Sequence, residues 1–217
     1  MKPDLTIELL CQEANNFSRT ESQHNEPLLY GVTDGKAVGT YLEHKFQRYL
    51  HTKYTYAEGS SAKGIDFPGL DVDIKVTSIK QPQSSCPFKS ARQKIFGLGY
   101  SLLVFVYEKS DESQTETGQL NILHTIFIEK HRTADYQTTT GIRQIVENDG
   151  NEDDLIAFMQ DRYLPISDIE AHQLAAELLR KPPEIGYLTI SNALQWRLQY
   201  RRVIEKAGDV DGILRVL

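Results

Sequence analysis

Between positions 71 and 77 apolar and polar residues alternate strictly, Val72, Ile74 and Val76 against Asp71, Asp73, Lys75 and Thr77. A period of two is that of a half-buried strand, and it sets Asp73 and Lys75 side by side on the solvated face. Upstream, residues 62–67 read as a partner strand, with Pro68 and Gly69 supplying the turn between the two. Residues 37–51 carry a helical rhythm instead, with Val38, Tyr41, Leu42, Phe46 and Leu50 on one stripe and Thr33-Asp34-Gly35 as its start. Residues 53–57 alternate again and predict a first strand. Residues 100–107 are almost continuously apolar and predict a buried central strand, with another over 120–128.

Between these strands the pattern predicts a helix over residues 88–98, with Ser84 or Ser85 as N-cap, Pro87 at its first position and Gly97 as its cap at the far end. Residues 79–86 and 108–117 read as loops. At the N-terminus, Leu5, Leu9 and Leu10 give residues 1–15 a weak helical pattern, and the polar residues 16–27 read as a loose arm. Beyond residue 130 apolar residues recur three and four apart. They predict helices over 138–146, 153–162, 167–179 and 189–206, with Lys181-Pro182-Pro183 as a break. Helix, strand, hairpin, helix and strand in that order make an α/β core followed by a mostly helical C-terminal part.

The chemistry concentrates at the predicted hairpin, which would return Asp66 towards Asp73 and place Lys75 beside them. Two carboxylates in one patch repel unless a cation lies between them, and oxygen ligands with open water positions suit Mg²⁺. Such a metal acidifies a bound water and neutralises charge on a phosphate, while a neighbouring lysine orients the attacking water. The same residues also read as a surface hairpin carrying a cross-strand ion pair. Asp71 is a rival for the first acid because it faces the same way as Asp73, although an aspartate in a turn needs no catalytic role.

Asp66, a short hairpin and then Asp73-Ile74-Lys75 resemble the signature of the PD-(D/E)xK nuclease superfamily, in the manner of type II restriction endonucleases. The residue before Asp66 is Ile65 where that signature has proline. The order of predicted elements over residues 35–130 is also similar to that family's core. The resemblance implies a restriction-endonuclease-like fold, a mixed sheet flanked by helices, and Mg²⁺-dependent hydrolysis of double-stranded DNA. It implies a metal held by Asp66, Asp73 and the Ile74 carbonyl, a water activated by Lys75, and Glu43 as a further acid from the preceding helix. From the residues alone, Glu43 reads first as a boundary glutamate on an exposed helix flank beside the apolar stripe.

On this reading residues 1–34 are an N-terminal arm, 35–130 the catalytic core and 131–217 a helical region for DNA recognition and dimerisation. Lys89 and Gln93 would face phosphates from the helix after the D-x-K strand. Gln195, Arg197, Arg201 and Arg202 would line a helix entering the major groove, arginine and glutamine being the side chains that pair bidentately with guanine and adenine. A solvated cationic face explains either group as well. The expected partners are double-stranded DNA, a second copy in a two-fold homodimer and, genetically, a cognate DNA methyltransferase. A repair or junction-resolving nuclease on the same core, or a non-catalytic DNA-binding domain, is the alternative.

Composition narrows this little. With 217 residues, 40% hydrophobic and 25% charged, the chain suits one domain, or one domain plus an appended lobe. The net charge of −6 opposes DNA binding only as a total. Acids crowd the N-terminus and residues 147–154, leaving 89–94 and 197–206 locally basic. Cys11 and Cys86 read as reduced thiols, and six scattered histidines make no zinc spacing. No apolar run reaches the roughly 18–20 residues of a membrane span. Acids within the first ten residues argue against a secretory signal, so a prokaryotic cytoplasmic, nucleoid-associated location is expected.

Overall fold

The computed structural model describes residues 2–57, 59, 64–87, 89–192 and 195–217. Helix α1 (Ile7–Glu21) opens the chain. A two-residue strand β1 (Asn25–Glu26) leads to α2 (Gly35–Lys53), which starts where Asp34 accepts the Lys36 N–H at 3.0 Å. Then come β2 (Val72–Ser78), β3 (Gln83–Ser85), the short α3 (Ala91–Phe96), β4 (Ser101–Glu112) and β5 (Thr117–Ile128). Helices α4 (Tyr136–Glu147), α5 (Glu152–Asp161) and α6 (Asp168–Arg180) follow, then β6 (Thr189–Ser191), β7 (Arg197–Gln199), α7 (Arg201–Lys206) and β8 (Ile213–Arg215).

The main sheet runs β1-β5-β4-β2, with β8 also on β5; β2 is parallel to β4 and the other pairs are antiparallel. Leu102 to Val106 of β4 are fully buried because both faces are covered. On one face Ile74, Leu103, Phe105 and Phe127 pack against Leu10, Ala14 and Phe17 of α1 and Val38, Leu42, Phe46 and Leu50 of α2. On the other, Leu102, Val104, Val106, Ile126 and Ile128 meet Ile190, Trp196, Leu198, Tyr200 and Val203. A small sheet, β3-β7-β6, therefore forms a second layer over the back of the main one. Helices α3 to α6 enclose a separate core around Ile95, Ile142, Met159 and Leu174. This is a mixed α/β architecture of the restriction-endonuclease-like kind.

Several expectations need correction. Residues 16–27 are no loose arm, since α1 runs to Glu21. Its acids are matched by α2: Glu13 accepts from Lys53 Nζ at 2.7 Å and Tyr54 Oη at 2.9 Å, and Glu21 pairs with Lys45 at 2.8 Å. Residues 53–57 form only a single bridge, Thr55 to Asp4, because α2 continues through Lys53. The strands on either side of residues 113–116 extend into the expected loop. The helix expected from residue 88 begins at Ala91, and residues 83–85 are strand rather than cap; Phe88 lies outside the described residues. The long helix over 189–206 does not form. Thr189–Ser191 and Arg197–Gln199 pair as strands and only Arg201–Lys206 is helical, with Ala193 and Leu194 outside the described residues. The reason is local: Trp196, Leu198 and Tyr200 alternate, and all three are buried on the same core.

Candidate active site

Strand β2 lies at the open edge of the main sheet, and its two sides do different work. Its apolar residues face α2, while Asp73, Lys75 and Thr77 share the face of Leu102, Val104 and Val106, their partners on β4. Along the open edge, Phe67 and Val72 exchange backbone bonds (2.9 and 3.3 Å) around a tight turn over residues 68–71. Only this one bridge remains of the expected partner strand, of which residues 62 and 63 lie outside the description. Two residues on, the Ile74 N–H donates to Asp66 Oδ2 at 2.8 Å. A strand residue's N–H and C=O point to the same side, so the Ile74 carbonyl faces that edge as well.

Asp66 is held twice, for Gln47 Nε2 of α2 also donates to its Oδ1 at 3.1 Å. Asp73 is only 4% exposed. Burial pushes its carboxyl above the ordinary range; the adjacent Lys75 ammonium opposes this, and hydrogen bonding with Asp66 adds to it. Lys75 Nζ sits directly on Asp73 Oδ2. Glu43 reaches the same patch from α2, where burial, and secondarily Asp66 and Asp73, raise its carboxyl to about 7 against the pull of Lys75. The Tyr100 phenol is held above its usual range by burial and, secondarily, by the Asp73 carboxylate.

All four residues singled out for chemistry thus come together, and Asp71 does not. Asp71 is exposed in the turn with φ of 53°, its carbonyl accepting the Ser101 N–H at 2.8 Å. The correction concerns solvent: Asp73 is on a covered face, not a wet one. Among the described residues no three His, Cys, Asp or Glu side chains make a cation site by themselves. The oxygens on offer are two carboxylates, near enough that Asp66 helps to raise the Asp73 carboxyl, and one edge carbonyl. That sparse, hard donor set fits Mg²⁺, which keeps several waters.

Beside the patch runs a cleft of about 870 Å³ that Glu43 and Lys75 line. Its other charged residues are Lys36, Lys80, Lys109, Asp111 and Arg197, so cations outnumber acids in a chain whose net charge is −6. Arg197 lines this cleft from β7, not from a helix; its guanidinium donates to Ser85 Oγ at 3.1 Å and to Gln195 Oε1 at 2.7 Å. Arg201 is exposed at the start of α7. Arg202 lies 3.7 Å over the Tyr136 ring, and its buried Nε has no partner among the described residues. Lys89 is exposed and Gln93 half-buried, and neither borders the cleft. Sequence reasoning missed Gln47 and the cleft lysines. Gln47 was detectable, since four residues after Glu43 it shares that helix face.

A family model described as "Type II restriction enzyme NspV" matches residues 4–215. A curated relative, the type II restriction enzyme NspV of Nostoc sp. (strain ATCC 29411 / PCC 7524), is 69% identical over 212 residues, covering 98% of this chain and 96% of its own length. No solved structure matches.

Proposed function

From the premise that the chain belongs to the NspV family of type II restriction enzymes, we propose that it cuts double-stranded DNA with Mg²⁺ at the edge of β2. The observation that carries this reading is the convergence of Asp66, Asp73, Lys75 and Glu43 on one half-buried patch opening into a cationic cleft. Asp66, Asp73 and the Ile74 carbonyl are the groups that would hold the metal. When bound, Mg²⁺ supplies a more acidic water and neutralises charge on the scissile phosphate.

The chain's own residues do the rest. Gln47 and the Ile74 amide fix both oxygens of Asp66, so the first acid cannot swing away. Asp73 holds the Lys75 ammonium beside the reacting water, which Lys75 orients for in-line attack on phosphorus as the P–O bond to the leaving sugar breaks. Glu43, its carboxyl raised to about 7 chiefly by burial, is the further acid that would support the metal or its waters. Lys36, Lys80 and Lys109 meet phosphates along the cleft. Lys89, Gln93 and Arg201 serve as outlying DNA contacts and Arg197, supported by Gln195, as an inner one, while Arg202 belongs to the packing against Tyr136.

In this reading residues 35–130 form the catalytic core and residues 131–217 the recognition and dimerisation region. A two-fold homodimer would present one site to each strand. The setting in this reading is a prokaryotic cytoplasm with a cognate methyltransferase protecting the host. No described helix is long and apolar enough to cross a membrane. Plasmid digestion with Mg²⁺ and with EDTA tests the proposal. Discrete bands with Mg²⁺ alone are expected, with Lys75→Ala and Asp73→Asn each slower by roughly 10²–10³-fold or more. Full turnover by either variant would remove the site from the mechanism.

A further inference from the structure

The small sheet presents a face that the nuclease chemistry does not use. In β7, Arg197 lies opposite Ser85 of β3 and Ser191 of β6, and Gln199 lies opposite Gln83 and Thr189. Opposed and alternate residues share a side, so these six side chains form one surface. The intervening Leu198 and Ile190 point the other way, 0% and 2% exposed, into the core with Trp196 and Tyr200. The six end in hydroxyl, carboxamide or guanidinium groups, without one carboxylate, in a chain where 30 of 217 residues are acids.

That composition suits a polyanion with hydrogen-bonding edges. Arginine pairs bidentately with guanine, glutamine with adenine, and hydroxyls with either, and the major groove admits a paired β-ribbon. Among the described residues the side chains of Gln83, Gln199, Thr189 and Ser191 make no hydrogen bond within the protein, although all are half-buried. Arg197 is different: Ser85 and Gln195 anchor it at 3.1 and 2.7 Å, and this leaves its remaining N–H donors aimed by a fixed fork.

The face also runs into the cleft, for Gln83, Ser85 and Arg197 line it together with Lys75. Strand β3 is tied to β2 two residues beyond that lysine. The Gln83 N–H donates to Thr77 Oγ1 at 2.9 Å, and Thr77 Oγ1 contacts the Gln83 carbonyl at 3.1 Å.

We propose that the polar face of β3-β7-β6 reads base edges of double-stranded DNA, with Arg197 as the central reader. Thr77 then fixes the spacing between the base read and the bond cut. The inference rests on the nuclease reading above and gives its specificity an address on strands instead of a helix.

The test needs a duplex carrying the cleavage site mapped from plasmid digests and a second duplex of the same composition in shuffled order. Binding is measured by fluorescence anisotropy with Ca²⁺ replacing Mg²⁺, so that strands stay intact. Arg197→Ala is expected to lower the mapped-to-shuffled affinity ratio by about 10–100-fold, with shuffled binding changed less than about threefold. Arg197→Lys keeps the charge without the fork and should lose the ratio equally, which covers the case where the alanine variant folds poorly. An equal fall on both duplexes would make Arg197 a phosphate contact and overturn the proposal, as would an unchanged ratio in Arg197→Lys. Lys75→Ala, measured in parallel, should keep the ratio while losing cleavage. Retained cleavage there would sink only the assignment of the catalytic site to β2.

Discussion

Glu43 offers a quantitative check on how the site is built. Its carboxyl rises from an ordinary 4.5 to about 7 chiefly because α2 delivers it into a buried position, and secondarily because Asp66 and Asp73 lie near. The folded protein therefore binds a proton there more tightly than the unfolded chain does. Between pH 4.5 and 7 the native state holds more protons, so metal-free stability falls as pH rises through that window. At 1.36 kcal/mol per unit the full cost above pH 7 is roughly 3 kcal/mol, reduced to about 1–3 by residual solvent contact. Glu43→Gln removes the charge and keeps the shape. In EDTA at pH 8 the variant should melt higher, by about 2–4 °C for each kcal/mol regained, and at pH 5 it should match the parent. Thermal unfolding followed by circular dichroism at both pH values reads this directly. An equal shift at both pH values, or a lower melting point at pH 8, would refute the electrostatic account.

Other consequences are equally measurable. Gln47→Ala frees one oxygen of Asp66, so calorimetric titration should show Mg²⁺ affinity lower by about 10–100-fold, the usual effect of losing a group that orients a ligand. Mg²⁺ affinity of the parent enzyme should climb as pH rises towards and past 7, because protons on Glu43 and Asp73 compete with the cation; a flat profile from pH 5.5 to 8 would contradict their raised carboxyls. Arg202→Ala should lower the melting temperature without altering DNA affinity, since its guanidinium is spent on the Tyr136 ring. Leu42→Ala, at a fully buried position, should cost about 2–5 kcal/mol in urea unfolding.

Much of the site was legible because two kinds of periodicity carry it. The alternation around Asp73 and Lys75 marked the strand, and the stripe from Val38 to Leu50 marked the helix that brings Glu43. What the sequence hid were partnerships at a distance. Residues 16–21 look too polar to fold, yet Ser18 Oγ bonds Thr125 Oγ1 at 2.7 Å in full burial and Glu21 finds Lys45. Asp73 reads as solvated until Leu198 and Tyr200, over a hundred positions later, cover that side of the sheet. The last third misled for the opposite reason. Leu198 and Val203 fit a helical spacing when taken with residues 193–194, and they outweighed the alternation of Trp196, Leu198 and Tyr200.

An open strand edge is an invitation for another chain to zip on, and β2 has one at the centre of its chemistry. Here the Phe67 backbone occupies the first rung and the Asp66 carboxylate the next, so the acid assigned to the metal also plugs the gap. An enzyme silenced at Asp66 would bare the Ile74 amide and gain a sticky flank along with its lost activity. Lys75 is therefore the better place to disarm this protein for co-crystals with uncut DNA.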